Sequence, residues 1–114
     1  MADRNKNNVP VMVIGLGRFG ASTAAQLRRQ NKEVLAIEKD PVLVQKWSGL
    51  LTHVVEADAT DIDALRQLGA TDFTAAVVGV GTSVEASVLI TANLVDLGIE
   101  RIWSKAITPA HGKI

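Results

Sequence analysis

Val11-Met12-Val13-Ile14-Gly15-Leu16-Gly17-Arg18-Phe19-Gly20 joins an apolar, β-rich run to a G-x-G-x-x-G turn. The segment that follows, 18–30, is rich in Ala, Leu, Arg and Gln and places Phe19, Thr23 and Leu27 at i, i+4 and i+8 on one face. Strand, glycine turn and helix in that order are the setting in which the glycine spacing has a physical meaning. Gly15 permits the tight turn, Gly17 lets backbone approach a diphosphate with no β-carbon in the way, and Gly20 lets the helix lie close to the strand. The amides at the helix start then face phosphate with the positive end of the helix dipole.

Outward from this stretch, short apolar runs alternate with helix-like segments. Strands are expected at 11–14, 33–38, 53–56, 75–80 and 101–105. Asp40-Pro41 is an N-cap with proline at the first helical position, opening a second helix to about Ser48 that Gly49 closes. Asp61 caps a third to about Leu68, ended by Gly69, and Ser83 caps a fourth to about Leu97, ended by Gly98. This rhythm predicts an α/β fold, a Rossmann-like doubly wound parallel sheet with five strands and helices on both faces. Residues 1–8 are polar and read as a disordered arm ahead of a nucleotide-binding domain at 9–114. Residues 109–114 read as the start of something unfinished, so the chain is expected to be a fragment.

A length of 114 residues with 47% hydrophobic content fits one compact domain. Twelve Lys plus Arg balance 12 Asp plus Glu, which leaves no long-range attraction for nucleic acid or anionic lipid. The absence of cysteine removes disulfides, thiolate nucleophiles and zinc-thiolate sites. No apolar run approaches the roughly 18 residues needed to cross a bilayer, and no direct membrane insertion is expected. The fourth helix carries Ala86, Val88, Leu89, Ile90, Ala92, Leu94, Val95 and Leu97 around most of its circumference, with charge only at Glu85 and Asp96. One sheet does not cover that many faces. The helix is either at a subunit contact or under a further segment, or else it is deeply packed with small residues outermost.

The chemistry-bearing residues gather at the expected carboxyl ends of the strands. Glu38 ends the second strand roughly 20 residues beyond the glycine turn, where a carboxylate accepts from both ribose hydroxyls of an adenosine and repels a 2′-phosphate. Adjacent Lys39 leaves a small opening for that phosphate. Asp58-Ala59-Thr60 follows the third strand, and two readings stand: Asp58 accepts from an adenine amino group, or Asp58 and Thr60 shape the turn before the third helix. Gly79-Val80-Gly81 either brings backbone to a cofactor or simply ends a strand. Arg18 is a permanent cation beside the phosphate cradle, able to bind a terminal phosphate or reach a neighbouring subunit, or else it is solvated. Lys105 ends the fifth strand on the same side and is able to assist. An enzyme needs a proton-moving group at its substrate pocket as well. There is no tyrosine, His53 falls away from the crevice, His111 lies in the tail, and no such set assembles. Trp47 and Trp103 read as core or interface residues, without an accompanying nucleic-acid motif.

With these residues in place, the sequence resembles the regulator-of-K⁺-conductance domain, the RCK or KTN module, in its TrkA/KtrA-like N-terminal form, from about Val11 to Ala106. The likeness is carried by Gly-Leu-Gly-Arg-Phe-Gly at 15–20, Val-Leu-Ala-Ile-Glu-Lys-Asp-Pro at 34–41, Asp-Ala-Thr-Asp at 58–61, Ala-Ala-Val-Val-Gly-Val at 75–80 and Ile-Trp-Ser-Lys-Ala at 102–106. Ala57 stands where the family often has glycine, and Ser83 where many members have asparagine. The resemblance implies a cytoplasmic, non-enzymatic regulatory domain that binds NAD(H) or ATP/ADP. It implies assembly into dimers, and into octameric rings in full-length proteins, that gate a membrane K⁺ channel or transporter. It further implies that Arg18 contacts a terminal phosphate from a neighbouring subunit, that Glu38 holds ribose, and that Asp58 lies near adenine. A sixth strand, crossover helix and C-terminal subdomain would follow Ile114. The alternative is the cofactor half of an NAD-dependent oxidoreductase.

Overall fold

The computed structural model describes residues 9–51, 53–80 and 84–104. The arm at 1–8, Gly81, the Ser83 cap, Lys105, His111 and the tail at 109–114 lie outside them. Along the chain run β1 (Val11–Ile14), α1 (Arg18–Arg29), β2 (Val34–Glu38), α2 (Pro41–Ser48), β3 (His53–Glu56), α3 (Ile62–Gln67), a 3₁₀ turn (Ala70–Asp72), β4 (Ala75–Val78), α4 (Val84–Asp96) and β5 (Arg101–Ser104). All four strand pairings are parallel, in the order β3-β2-β1-β4-β5. The expected five-stranded doubly wound sheet is the one observed. Its connections reverse direction between β1 and β4, the place where such a sheet opens a crevice.

The strands are short and apolar because both faces are covered. In β1, Met12 and Ile14 join one core with Ile37, Leu65, Ala76, Val78, Ile90 and Leu94, which brings in α3 and α4. Val13 joins the other, with Leu16, Ala24, Val34, Ala36 and Val77, and Phe19, Leu27 and Trp47 of α1 and α2 pack against it. Alternate residues of a strand point to opposite faces, so two cores from one strand follow directly.

Helix ends agree with local chemistry. Asp40 accepts from the Val42 amide at 2.9 Å with Pro41 in the first turn, and Asp61 accepts from the Asp63 amide at 3.0 Å. At the end of α4, Gly98 sits at φ +87° and the Ile99 amide donates to Leu94 carbonyl oxygen at 3.1 Å, with both side chains in the same core. This closure satisfies an orphan carbonyl and seals the helix end. Gly49 differs from a left-handed stop, since its φ is −88° and α2 ends on right-handed backbone.

Three expectations shift. β4 ends at Val78, two residues before the expected end, because Gly79 turns into the packing around the glycine loop. The segment after Gly69 forms a 3₁₀ turn not foreseen in the sequence. On α4, the outward residues Val84, Val88, Leu89 and Val95 are about half or more exposed and they are large, which removes the deep-packing alternative for this chain on its own. Trp47 is half-buried in the core, whereas Trp103 on edge strand β5 is 53% exposed.

Candidate functional site

At the carboxyl ends of the strands a cavity of about 420 Å³ opens, within the range of small-molecule sites. Its walls come from four loops or strand ends: the glycine loop (Gly15, Gly17, Arg18, Phe19), the end of β2 (Glu38, Lys39), the β3–α3 loop (Asp58, Ala59, Thr60) and the end of β4 (Gly79, Val80), with α2 and α4 adding apolar side chains. Of the site residues named from sequence, those nine among these that were expected, Gly15, Gly17, Arg18, Phe19, Glu38, Lys39, Asp58, Ala59 and Gly79, converge here. Gly20 does not line the cavity, and Lys105 lies outside the described residues.

The glycines divide the work between access and packing. Gly15 has φ +95°, left-handed backbone that a side chain rarely adopts. A β-carbon on Gly20 would overlap the Gly15 carbonyl, and one on Gly79 would sit 2.9 Å from the Gly20 α-carbon. Gly15, Gly20 and Gly79 therefore form one contact where β1, the start of α1 and the end of β4 touch backbone to backbone. The packing reason for Gly79 was not visible in the sequence, where it could be read only as a turn or a cofactor approach. Gly17 is different: nothing lies within 4 Å of where its β-carbon would be.

Gly17 is also the N-cap of α1, with no side-chain cap and no acidic residue in the first turn. α2 and α3 each have an aspartate in that role. The start of α1 is thus left without an anionic side chain of its own, the condition under which helix amides suit an external anion. Arg18 is exposed, and no carboxylate among the described residues pairs with it.

Glu38 is held more tightly than sequence spacing suggests. One carboxylate oxygen accepts from the Leu16 amide at 2.6 Å and the other from the Asp40 amide at 2.9 Å. It ties the glycine loop to the β2–α2 turn, and each oxygen keeps acceptor capacity for a further donor. Asp58 Oδ1 accepts from both the Thr60 amide, at 3.0 Å, and the Thr60 hydroxyl, at 2.7 Å. These bonds are the turn-shaping arrangement that the sequence offered for Asp58 and Thr60. The hydroxyl bond, then the amide bond, hold the Asp58 pKa below its ordinary value of 3.8 against a smaller desolvation effect.

Residues that sequence reasoning missed are chiefly apolar: Ile14, Ile37, Leu43, Ala57, Val80, Ala86 and Ile90 complete the lining. Most of these read as core on periodicity, whereas Val80 belongs to the Gly79-Val80-Gly81 turn that the sequence offered as a cofactor approach. Only the approach of α2 and α4 to the strand ends makes them walls.

The TrkA-N domain model matches residues 11–114. This chain belongs to the TrkA-N family. The TrkA-N match agrees with the RCK/KTN resemblance and covers every element of the sheet. The chain is 39% identical over 107 residues to Ktr system potassium uptake protein A of Bacillus subtilis, covering 94% of this chain and 48% of that protein. It spans about half the length of that relative. Among solved structures, the NAD(P)-binding domain of an exopolyphosphatase-related protein from Archaeoglobus fulgidus superposes with a TM-score of 0.74 at 22% identity, over 90% of this chain and 76% of that one. The Kef CTD of Shewanella denitrificans in AMP-bound form superposes with a TM-score of 0.68 at 21% identity, over 87% and 60%. At such identities the two structures establish the shared fold.

Proposed function

We propose that this TrkA-N domain binds an adenine nucleotide, NAD(H) or ATP/ADP, in the cavity, and acts without catalysis as the ligand-sensing part of a regulator of K⁺ flux. The observation that carries this reading is the meeting of the uncapped start of α1 with the Glu38 carboxylate across one cavity. The first suits a diphosphate and the second the neighbouring ribose. In this reading Gly15, Gly17 and Phe19 surround the phosphates, Arg18 meets a terminal phosphate, and Asp58 and Ala59 flank the base. Lys39 sits beside the ribose.

The Ktr relative supports a membrane K⁺ transporter or channel as the partner, reached from the cytoplasmic side. No helix among the described residues is long and apolar enough to cross a membrane. The exposed Val84, Val88, Leu89 and Val95 on α4 support assembly with further copies, as a dimer or, in a longer protein, a ring. Gating requires the nucleotide to bind the open and closed assemblies unequally, since equal affinity shifts neither.

Calorimetry with ATP, ADP, NAD⁺ and NADH tests the reading, with saturable binding to the wild type and its loss in Glu38→Ala as the expected result. Absence of binding by all four overturns it. Turnover of NADH with a substrate by the full-length protein would instead favour the oxidoreductase alternative, for which the described lining offers no histidine.

A further inference from the structure

Asn93 is absent from the cavity wall, yet its side chain reaches the loop that forms it. Its Nδ2 donates to the Ala59 carbonyl at 3.0 Å and to the Thr60 carbonyl at 3.1 Å. A carboxamide nitrogen has two hydrogens, and here both are committed to consecutive carbonyls of one loop. Other hydrogen bonds of this loop are local or run back to β2: Thr60 to Asp58, Asp61 amide to Asp58 carbonyl, and Ala57 amide to Glu38 carbonyl. Ala59 also packs in the core with Ile90 and Leu94 of α4, and Asn93 supplies the hydrogen bonds that join the loop to that helix among the described residues.

The placement on α4 follows helical spacing. Ala86, Ile90 and Asn93 fall at i, i+4 and i+7, one stripe along the helix. The first two line the cavity, and the third holds the adjoining loop. Asn93 is half-buried, where an unmatched carbonyl or amide is costly.

We propose that Asn93 is a positioning residue for the base side of the cavity: by locking Ala59 and Thr60 to α4, it fixes where Asp58 and Ala59 stand relative to a bound adenine. The inference rests on the nucleotide-binding reading above. Asn93→Asp keeps the shape but removes both donors and sets a carboxylate against two carbonyls. Asn93→Ala removes the donors on a residue that favours helix, and it serves if the first variant does not fold.

Two measurements on the protein decide the matter. Amide exchange followed by NMR, without ligand, is expected to quicken about tenfold at Thr60 and Asp61 in either variant, the effect of losing about one such hydrogen bond. Exchange at Val13 and Val77 in the sheet should not follow it. Calorimetry then compares ADP, the moiety shared by all candidate ligands, with inorganic pyrophosphate, which has no base. Asn93→Asp should weaken ADP about tenfold and leave pyrophosphate unchanged.

Unchanged ADP affinity, or equal weakening of both ligands, overturns the positioning role while leaving the binding reading intact. Unchanged exchange at Thr60 and Asp61 overturns it as well. A wild type that binds none of ADP, ATP, NAD⁺ and NADH overturns the binding reading itself, and the positioning role with it; if ADP alone fails to bind, the nucleotide that does bind takes its place in the comparison with pyrophosphate.

Discussion

Gly17 and Gly20 are three residues apart and are expected to respond in opposite ways to the same added methyl group. At Gly17 the new carbon meets open space, so Gly17→Ala should change the melting free energy by less than about 1 kcal/mol. By intruding on the phosphate approach, it should weaken nucleotide binding about tenfold or more, roughly 1.4 kcal/mol. At Gly20 the carbon strikes the Gly15 carbonyl, which is backbone and cannot swing aside, and Gly20→Ala should lose at least about 1–3 kcal/mol of stability. Denaturation and calorimetry on the two variants check both. Asp58 offers a second single-residue test. Its two bonds from Thr60 lower its folded-state pKa below 3.8, so the stability it contributes is full above that range and lost as pH falls through the folded value. Thr60→Ala removes the hydroxyl bond and leaves the amide bond, so NMR titration should show the Asp58 pKa rising toward its ordinary value. A pKa unmoved by the substitution would show that the hydroxyl bond is not made.

Among the elements, α4 does three things at once. Ile90 and Leu94 bury into the core, Ala86, Ile90 and Asn93 face the cavity and its loop, and Val84, Val88, Leu89 and Val95 point outward. The left-handed Gly98 that ends it makes Gly98→Ala costly by about 1–2 kcal/mol, measurable as a lowered denaturation midpoint. The outward residues lead to a different expectation. Val88→Glu and Val95→Glu, each placing a charge on the exposed apolar face, should shift assemblies toward smaller species in light scattering with little change in the fold. Retention of the wild-type size in both would remove α4 from the contact. The apolar circumference of this helix was readable in the sequence. Which residues would be left outside was not, because that depends on how β4 and β5 orient the helix.

For the whole molecule, the sheet order places its reversal between β1 and β4, and so brings loops from residues 15–19, 38–39, 57–60 and 79–80 around one cavity. A ligand that joins these loops stabilises the folded chain by mass action, about 2.7 kcal/mol at a hundredfold excess over Kd. The melting temperature should therefore climb with nucleotide concentration in the wild type and stay flat in Glu38→Ala. The side chains of Glu38 and Asn93 add bridges to the backbone contacts that Gly15, Gly20 and Gly79 make between these loops.

The sequence by itself determined the strands, the capped helices, the parallel sheet and the polar half of the site. Those follow from glycine spacing, proline and aspartate at helix starts, and apolar runs whose signals are local. Tertiary structure decided that Gly79 is a packing glycine, that Glu38 already grips the Leu16 amide, that Val80 and Leu43 are walls, and that Asn93 bridges α4 to the β3–α3 loop. Each of these is a meeting of residues far apart along the chain, and a residue's type and spacing carry no record of which distant backbone its side chain will touch.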